Sequence, residues 1–205
     1  LVLIKPDNFR FATRRPGSVI DFFSRTGLYI VAIKVHRMSV SEASEFYGPV
    51  REVLRTKLKD VVAAKSKTAL EKEFGFPIPD ATAKQLGDLL GPVFGDNQFD
   101  NIVRFMAGRS PSECPPAEHD QPGSEKCIAL VYEGIGAVAK IRDVLGPTDP
   151  SKAPPGSIRR EFGSSIMVNA AHASDAPESA TRELGIVKPA DNNFRRVAEQ
   201  FYGKL

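Results

Sequence analysis

Between Arg142 and Glu183 the chain concentrates side chains that suit phosphate chemistry. Arg142, Thr148 and Arg159 bracket a loop stiffened by glycine and proline, LGPTDPSKAPPGSIR. Arginine offers a planar, permanently charged fork that matches phosphate oxygens, and a rigid loop lowers the entropy of aiming it. His172 follows, with Ser174, Asp175 and Glu183 downstream. A histidine beside such cations can accept a phosphoryl group on a ring nitrogen. A carboxylate that takes a hydrogen bond from the opposite nitrogen would fix the tautomer. A lone histidine after a strand is most often structural; the company of Arg142, Arg159 and Glu183 reverses that reading for His172. The sequence has no GxxxxGK[ST] loop and no kinase-type glycine loop, so the usual ATP cradles are missing.

Four apolar, β-branched runs read as strands: Val2–Ile4, Leu28–Val35, Cys127–Tyr132 and Ser164–Val168. The last of these places His172 just past a strand end. Pro16-Gly17-Ser18 opens a helix through Val19, Ile20, Phe22 and Phe23, and Gly27 closes it. A second helix is predicted over Ile135–Leu145, stopped by Gly146-Pro147, and another over Pro177–Leu184, ending at Gly185. Two split βαβ halves in this order predict an α/β chain of the α+β sandwich type. The expected core is a ferredoxin-like βαββαβ unit, with helices on one face of a four-stranded antiparallel sheet.

The middle of the chain is irregular. The apolar spacing over Arg51–Phe74 predicts one amphipathic helix. Asp80 is the expected cap of a short helix to Leu90, ended by Gly91-Pro92, and Phe99, Ile102, Val103 and Met106 form a separate helical stripe. Arg109–Ser124 is proline-rich and polar, an expected exposed loop. His36 and His119 read as solvent-facing.

Composition sets bounds without naming a function. Hydrophobic residues are 41% and charged residues 26%, a balance that excludes disordered and fibrous chains. The surplus of 28 basic over 25 acidic residues is +3, too small for wholesale nucleic-acid binding. All of it sits within Arg51–Glu73. No apolar run approaches the ~20 residues a membrane span needs, so no membrane partner is expected. Two cysteines, Cys114 and Cys127, cannot build a disulfide framework, which points to a reducing cytoplasmic setting. With His119 they are too loosely spaced, and too short of a fourth ligand, to argue for zinc.

Six ordered motifs now fall into place. LIKPD at Leu3–Asp7, EFY at Glu45–Tyr47, LGPTDP at Leu145–Pro150, PGSIR at Pro155–Arg159, NAAHASD at Asn169–Asp175 and ESATREL at Glu178–Leu184 together resemble the nucleoside diphosphate kinase family. The resemblance implies exchange of the γ-phosphate between nucleoside tri- and diphosphates by a ping-pong route, with His172 as the phosphorylated nucleophile. Glu183 would orient its ring and Ser174 would support that carboxylate. Arg142, Thr148 and Arg159 match phosphate contacts, and Lys5 and Asn169 match contacts to the sugar and the reacting end. Tyr47 matches the tyrosine beside the histidine. Phe99 would stack on the base, with Ile166 opposite. Stacking, unlike edge-reading, implies broad base acceptance. The family implies Mg²⁺ held mainly through nucleotide phosphates and water, with no dedicated protein cage. It also implies a homo-oligomer.

The chain departs from the family pattern in four places. Ala173 stands where glycine is usual; a φ > 0 there would cost something like 1 kcal/mol. Relative to the family, roughly forty extra residues lie between Tyr47 and Phe99 and roughly fifteen between Met106 and Glu133, lengths that loops absorb at small entropic cost. The resulting reading is a single domain over 1–205 with insertions at about 50–97 and 109–124. The basic insertion is a solvated helix face in the plainer reading, and a lid or subunit contact in the sharper one. Beyond Gly185 the tail keeps little of the family pattern and leaves the oligomer contacts open. A catalytically weak nucleotide-binding or assembly relative, whose insertions serve a partner, stays open beside the active enzyme.

Overall fold

The structure, a computed structural model, describes residues 1–191, 198–199 and 201–203; the rest of the tail singled out above lies outside them. The chain opens with β1 (Val2–Ile4), whose alternating side chains feed two cores: Val2 and Ile4 point to one side, Leu3 to the other. A turn then leads to α1 (Arg15–Ser24), which has proline in its first turn, and to β2 (Tyr29–His36). Three helices follow, α2 (Val40–Lys57), α3 (Lys59–Phe74) and α4 (Asp80–Ala107). The chain continues through β3 (Cys127–Glu133), α5 (Ala137–Leu145), α6 (Ile158–Phe162), β4 (Ala171–Ala173) and α7 (Pro177–Val187).

The strands form one antiparallel sheet in the order β2-β3-β1-β4. This is the expected ferredoxin-like βαββαβ order. Helices, however, cover both faces of the sheet. Val19 and Phe23 of α1, Ile141 and Leu145 of α5 and Ile158 of α6 pack under Val2, Ile4 and Leu130. On the other face Phe46 of α2, Phe99, Val103 and Met106 of α4, and Ile186 of α7 cover Leu3 and Ala129. A sheet with apolar side chains on both sides must be covered on both.

Three expected elements differ from the structure. Ser164–Val168 is a bent loop, closed by the Ser164 amide donating to the Val168 carbonyl at 2.8 Å, and the fourth strand is Ala171–Ala173. His172 therefore lies within a strand, paired with Leu3. The predicted helix over 51–74 is two helices meeting at Leu58, and the first begins earlier, at a reciprocal capping box of Ser39 and Glu42. Gly91-Pro92 does not end a helix, because α4 runs through it for 28 residues; its N-cap is Pro79, not Asp80. Gly87, Gly91 and Gly95 recur every fourth residue, and a Cβ on Gly87 would lie 2.5 Å from the Lys59 carbonyl oxygen. These glycines mark the face where α4 crosses the α2–α3 pair at close range.

Candidate active site

Lys5 and Pro6 continue β1 into a short turn whose Asp7 and Asn8 are buried. That turn braces the segment leading into β4. An Asp7 carboxylate oxygen accepts the Ala170 amide at 3.1 Å, and the Asn8 side-chain amide donates to the Ala170 carbonyl at 2.7 Å. Ala170 has φ 70°, the left-handed region that alanine rarely takes, and it is fully buried. The positive φ considered for position 173 thus falls at 170, and Ala173 is ordinary strand, where alanine carries no such penalty.

Two residues on, the His172 ring is held from three sides. Its Nε2 lies 3.0 Å from Glu183 Oε2, and Phe46 and Tyr47 meet it edge-on, with centroids at 5.0 and 5.9 Å. The Ser174 hydroxyl donates to the same Glu183 oxygen at 2.7 Å. Burial pushes the Glu183 carboxyl up, but hydrogen bonds from His172 and Ser174 and the nearby charges of His172 and Arg182 hold it below its usual value. The ionised carboxylate therefore takes the imidazole Nε2–H. Nδ1 has no hydrogen-bond partner among the described residues.

His172 lines a cavity of about 240 Å³. Its polar wall carries Lys5, Thr148, Arg159 and Asn169. Arg159 is buried, and its guanidinium donates to the carbonyls of Gly146 at 3.0 Å and Ala171 at 3.1 Å, without a carboxylate partner among the described residues. Burial, then the neighbouring charge of Arg142, pushes it down to about 10, so it stays cationic at neutral pH. Lys5 Nζ donates to the Met167 carbonyl and, at 2.8 Å, to the Asn169 side-chain oxygen. Burial pushes it down to about 8. The Asn169 amide in turn donates to the Thr148 and Ile166 carbonyls. Two buried cations held mainly by neutral oxygens favour an anion in the space between them.

The other wall is apolar: Val50 and Leu54 from α2, Ile102, Phe105 and Met106 from α4, and Ile166 and Met167 from the loop. Lys5, Tyr47, Thr148, Arg159, Ile166, Asn169 and His172 are therefore brought together, with Glu183 and Ser174 directly behind the histidine. Arg142, in the last turn of α5, is exposed and does not line the cavity, though its charge reaches Arg159. Phe99 is not at the cavity. It is 4% exposed in the core beneath the Arg51 guanidinium, because its position on α4 turns inward while Ile102 and Phe105 face the opening. The same holds for His36, which is buried and 3.2 Å from Glu42 rather than in solvent. His119 is half-buried against the Cys114 carbonyl.

Sequence reasoning missed Val50, Leu54 and Phe105, although Tyr47, Val50 and Leu54 share one helical face at spacings of three and four. Among the described residues no three His, Cys, Asp or Glu side chains converge as a metal cage. The donor set at the polar wall is cationic, so it would not ligate Mg²⁺ directly.

An α+β sandwich that aims a carboxylate-held histidine and buried cations into one cleft is a scaffold for phosphate transfer. Residues 118–192 match the family model described as nucleoside diphosphate kinase. The chain is 32% identical over 196 residues to the nucleoside diphosphate kinase of Polynucleobacter necessarius subsp. necessarius, covering 96% of each. It is 30% identical to that of Staphylothermus marinus, covering 91% of this chain and 89% of the relative. Its structure resembles the crystal structure of the Aquifex aeolicus nucleoside diphosphate kinase, with a TM-score of 0.56, 26% identity and 91% of each chain covered. The chain belongs to the nucleoside diphosphate kinase family, whose work is nucleotide phosphate transfer.

Proposed function

We propose that this chain moves the γ-phosphate of a nucleoside triphosphate to a nucleoside diphosphate in two half-reactions through a phosphohistidine at His172. The observation that carries the reading is the His172–Glu183 contact, which occupies Nε2 and leaves Nδ1 as the unengaged nitrogen of a ring that lines the cavity. The Nδ1 lone pair attacks the γ-phosphorus, the bond to the β,γ-bridging oxygen breaks, and the diphosphate leaves with that electron pair. The imidazole gains positive charge as the N–P bond forms, and the Glu183 carboxylate offsets it. In the second half a β-phosphate oxygen of the acceptor attacks the same phosphorus and the N–P bond breaks. Arg159, with Thr148 beside it and the charge of Arg142 acting from outside the cavity lining, neutralises charge spread over the phosphoryl oxygens. Lys5 and Asn169 hold the sugar and the reacting end. Tyr47 packs against the ring of His172 and fixes its attitude. Mg²⁺ would arrive coordinated by the nucleotide's phosphates, supplying further charge neutralisation.

The apolar wall supports broad base acceptance, since Val50, Leu54, Ile102 and Ile166 offer surface and no edge-reading groups. A homo-oligomer is supported by β2, an edge strand that exposes Tyr29, Val31 and Ile33; sedimentation at two concentrations checks it, and a monomer at both would overturn it. Sharing of one core by β1, β3, α2 and α4 supports the single domain, for which one unfolding transition is expected. Two buried, unpaired cysteines support a cytoplasmic setting, checked by imaging a fluorescent fusion.

The two half-reactions can be separated. Protein is incubated with γ-labelled ATP, stripped of nucleotide and given GDP. Label carried by the protein and then found in GTP is expected; label that reaches GTP only when both nucleotides are present would overturn the reading.

A further inference from the structure

Pro49 sits in the interior of α2 and has no N–H to donate to the carbonyl four residues back, at Glu45. An orphaned carbonyl must find another donor or lose a hydrogen bond. The donor comes from α7. Arg182 Nη1 lies 3.2 Å from the Glu45 carbonyl oxygen and 3.1 Å from that of Phe46. Its guanidinium also stands 5.9 Å from the Phe46 ring centroid, and Nη2 is 3.6 Å from Glu183 Oε1, the carboxylate oxygen that His172 does not use.

One side chain thus touches both supports of the histidine. On α2 it meets the backbone of the residue before Tyr47, and Phe46 and Tyr47 are the two rings against His172. On α7 it meets Glu183. From these contacts we propose that Arg182 is a positioning residue: by filling the hydrogen-bond gap that Pro49 opens in α2, it locks the aromatic clamp and the histidine's carboxylate into one unit. The step rests on the reading of His172 as the phosphorylated residue. Pro49 makes the arrangement particular to a chain whose α2 is interrupted there.

Two functions are combined in Arg182 and can be pulled apart. Its hydrogen bonds hold α2; its charge acts on Glu183. The other groups facing that carboxylate are His172 from β4, Ser174 just beyond it, the Leu1 α-amino group at the start of β1 and the Tyr47 phenol from α2. Arg182→Lys keeps a cation near Glu183 but loses the planar fork. Arg182→Gln keeps a donor for the carbonyls but loses the charge. Arg182→Ala loses both.

The test reads His172 phosphorylation by ATP across pH, together with the Glu183 titration followed by carboxyl NMR in the nucleotide-free protein. Arg182→Ala is expected to slow phosphorylation by roughly ten- to a hundredfold through misplacement of the ring. It should also move the acid limb of the rate, and the Glu183 titration, to higher pH. Arg182→Lys should restore the position of that limb, and Arg182→Gln should not. In a Pro49→Ala background, where the backbone supplies the missing donor, removing Arg182 should lower the melting temperature less than it does beside Pro49. The titration needs no phosphate transfer, so it judges the proposal even if His172 proves not to be phosphorylated. An unmoved Glu183 titration in Arg182→Ala, or equal melting losses with and without Pro49, would overturn the proposal.

Discussion

The two walls of the cavity are built on different principles. The polar wall is over-determined: Arg159, Lys5, Asn169 and His172 each make hydrogen bonds to side chains or carbonyls from elsewhere in the sequence. The apolar wall is set by how α2 and α4 pack, and the side chains of Val50, Leu54 and Ile102 carry no polar atom that a hydrogen bond could fix. Charge that develops during phosphoryl transfer must meet dipoles already aimed, whereas a base needs only a surface of the right width. The polar wall should therefore govern rate, and the apolar wall affinity.

The largest expected effect that would break this division is at Arg159. Arg159→Ala should cut kcat/KM by roughly a hundred- to a thousandfold, the cost of removing one preorganised charge at a reacting oxygen. A loss confined to KM would put Arg159 on the affinity side. Next comes Phe99, which the family resemblance assigns to the base and the structure assigns to the core. Phe99→Ala should destabilise by about 3–5 kcal/mol, as loss of a buried ring does, while Phe99→Leu should keep most nucleotide affinity. A large affinity loss in a fully stable Phe99→Leu would return the residue to the base. Ile102→Ala is expected to raise KM for purine and pyrimidine nucleotides alike, by roughly tenfold for the methylenes lost, with kcat little changed. A change in kcat alone would contradict an affinity role.

A subtler effect is expected from Lys5. In the folded chain its proton is lost near pH 8, because burial opposes the charge, while in the unfolded chain it is held to about the ordinary value of 10.5. Between those values the unfolded state binds more protons, so folding stability should rise with pH. The rate of His172 phosphorylation should fall over the same window as the cation disappears. Melting temperature and single-turnover phosphorylation rate should move in opposite directions between pH 7 and 9; Lys5→Met should flatten both trends.

The same division explains what could be read from the sequence. The polar wall is legible because its residues sit on short, rigid segments where type and spacing are dictated by chemistry: LIKPD, LGPTDP, PGSIR and NAAHASD each contribute a side chain to one cavity. The apolar wall is not, because a helix face chosen for packing looks like any other. Phe99 and Ile102 stand three residues apart, only about 60° apart around the helix axis, and only the crossing of α4 over α2 decides which one faces the cavity. The glycines of α4 mislead for a related reason. Gly91-Pro92 has the composition of a helix end, yet the close approach to Lys59 is what requires glycine there. The apolar run at 164–168 reads as a strand, but its carbonyls serve the side chains of Lys5 and Asn169 instead of a ladder. The bracing contacts of Arg182 are not legible in ESATREL, since the oxygens it reaches on α2 are backbone groups 137 and 136 residues away.

The most direct measurement is to identify the atom that carries the phosphate. Protein phosphorylated by ATP and freed of nucleotide can be examined by phosphorus NMR, with His172→Asn as the control. One acid-labile phosphoryl group on Nδ1 of His172, absent in the control and discharged by GDP, is the expected result. Phosphate on Nε2, on another residue, or on the control protein would contradict the assignment of His172 as a nucleophile held through Nε2 by Glu183.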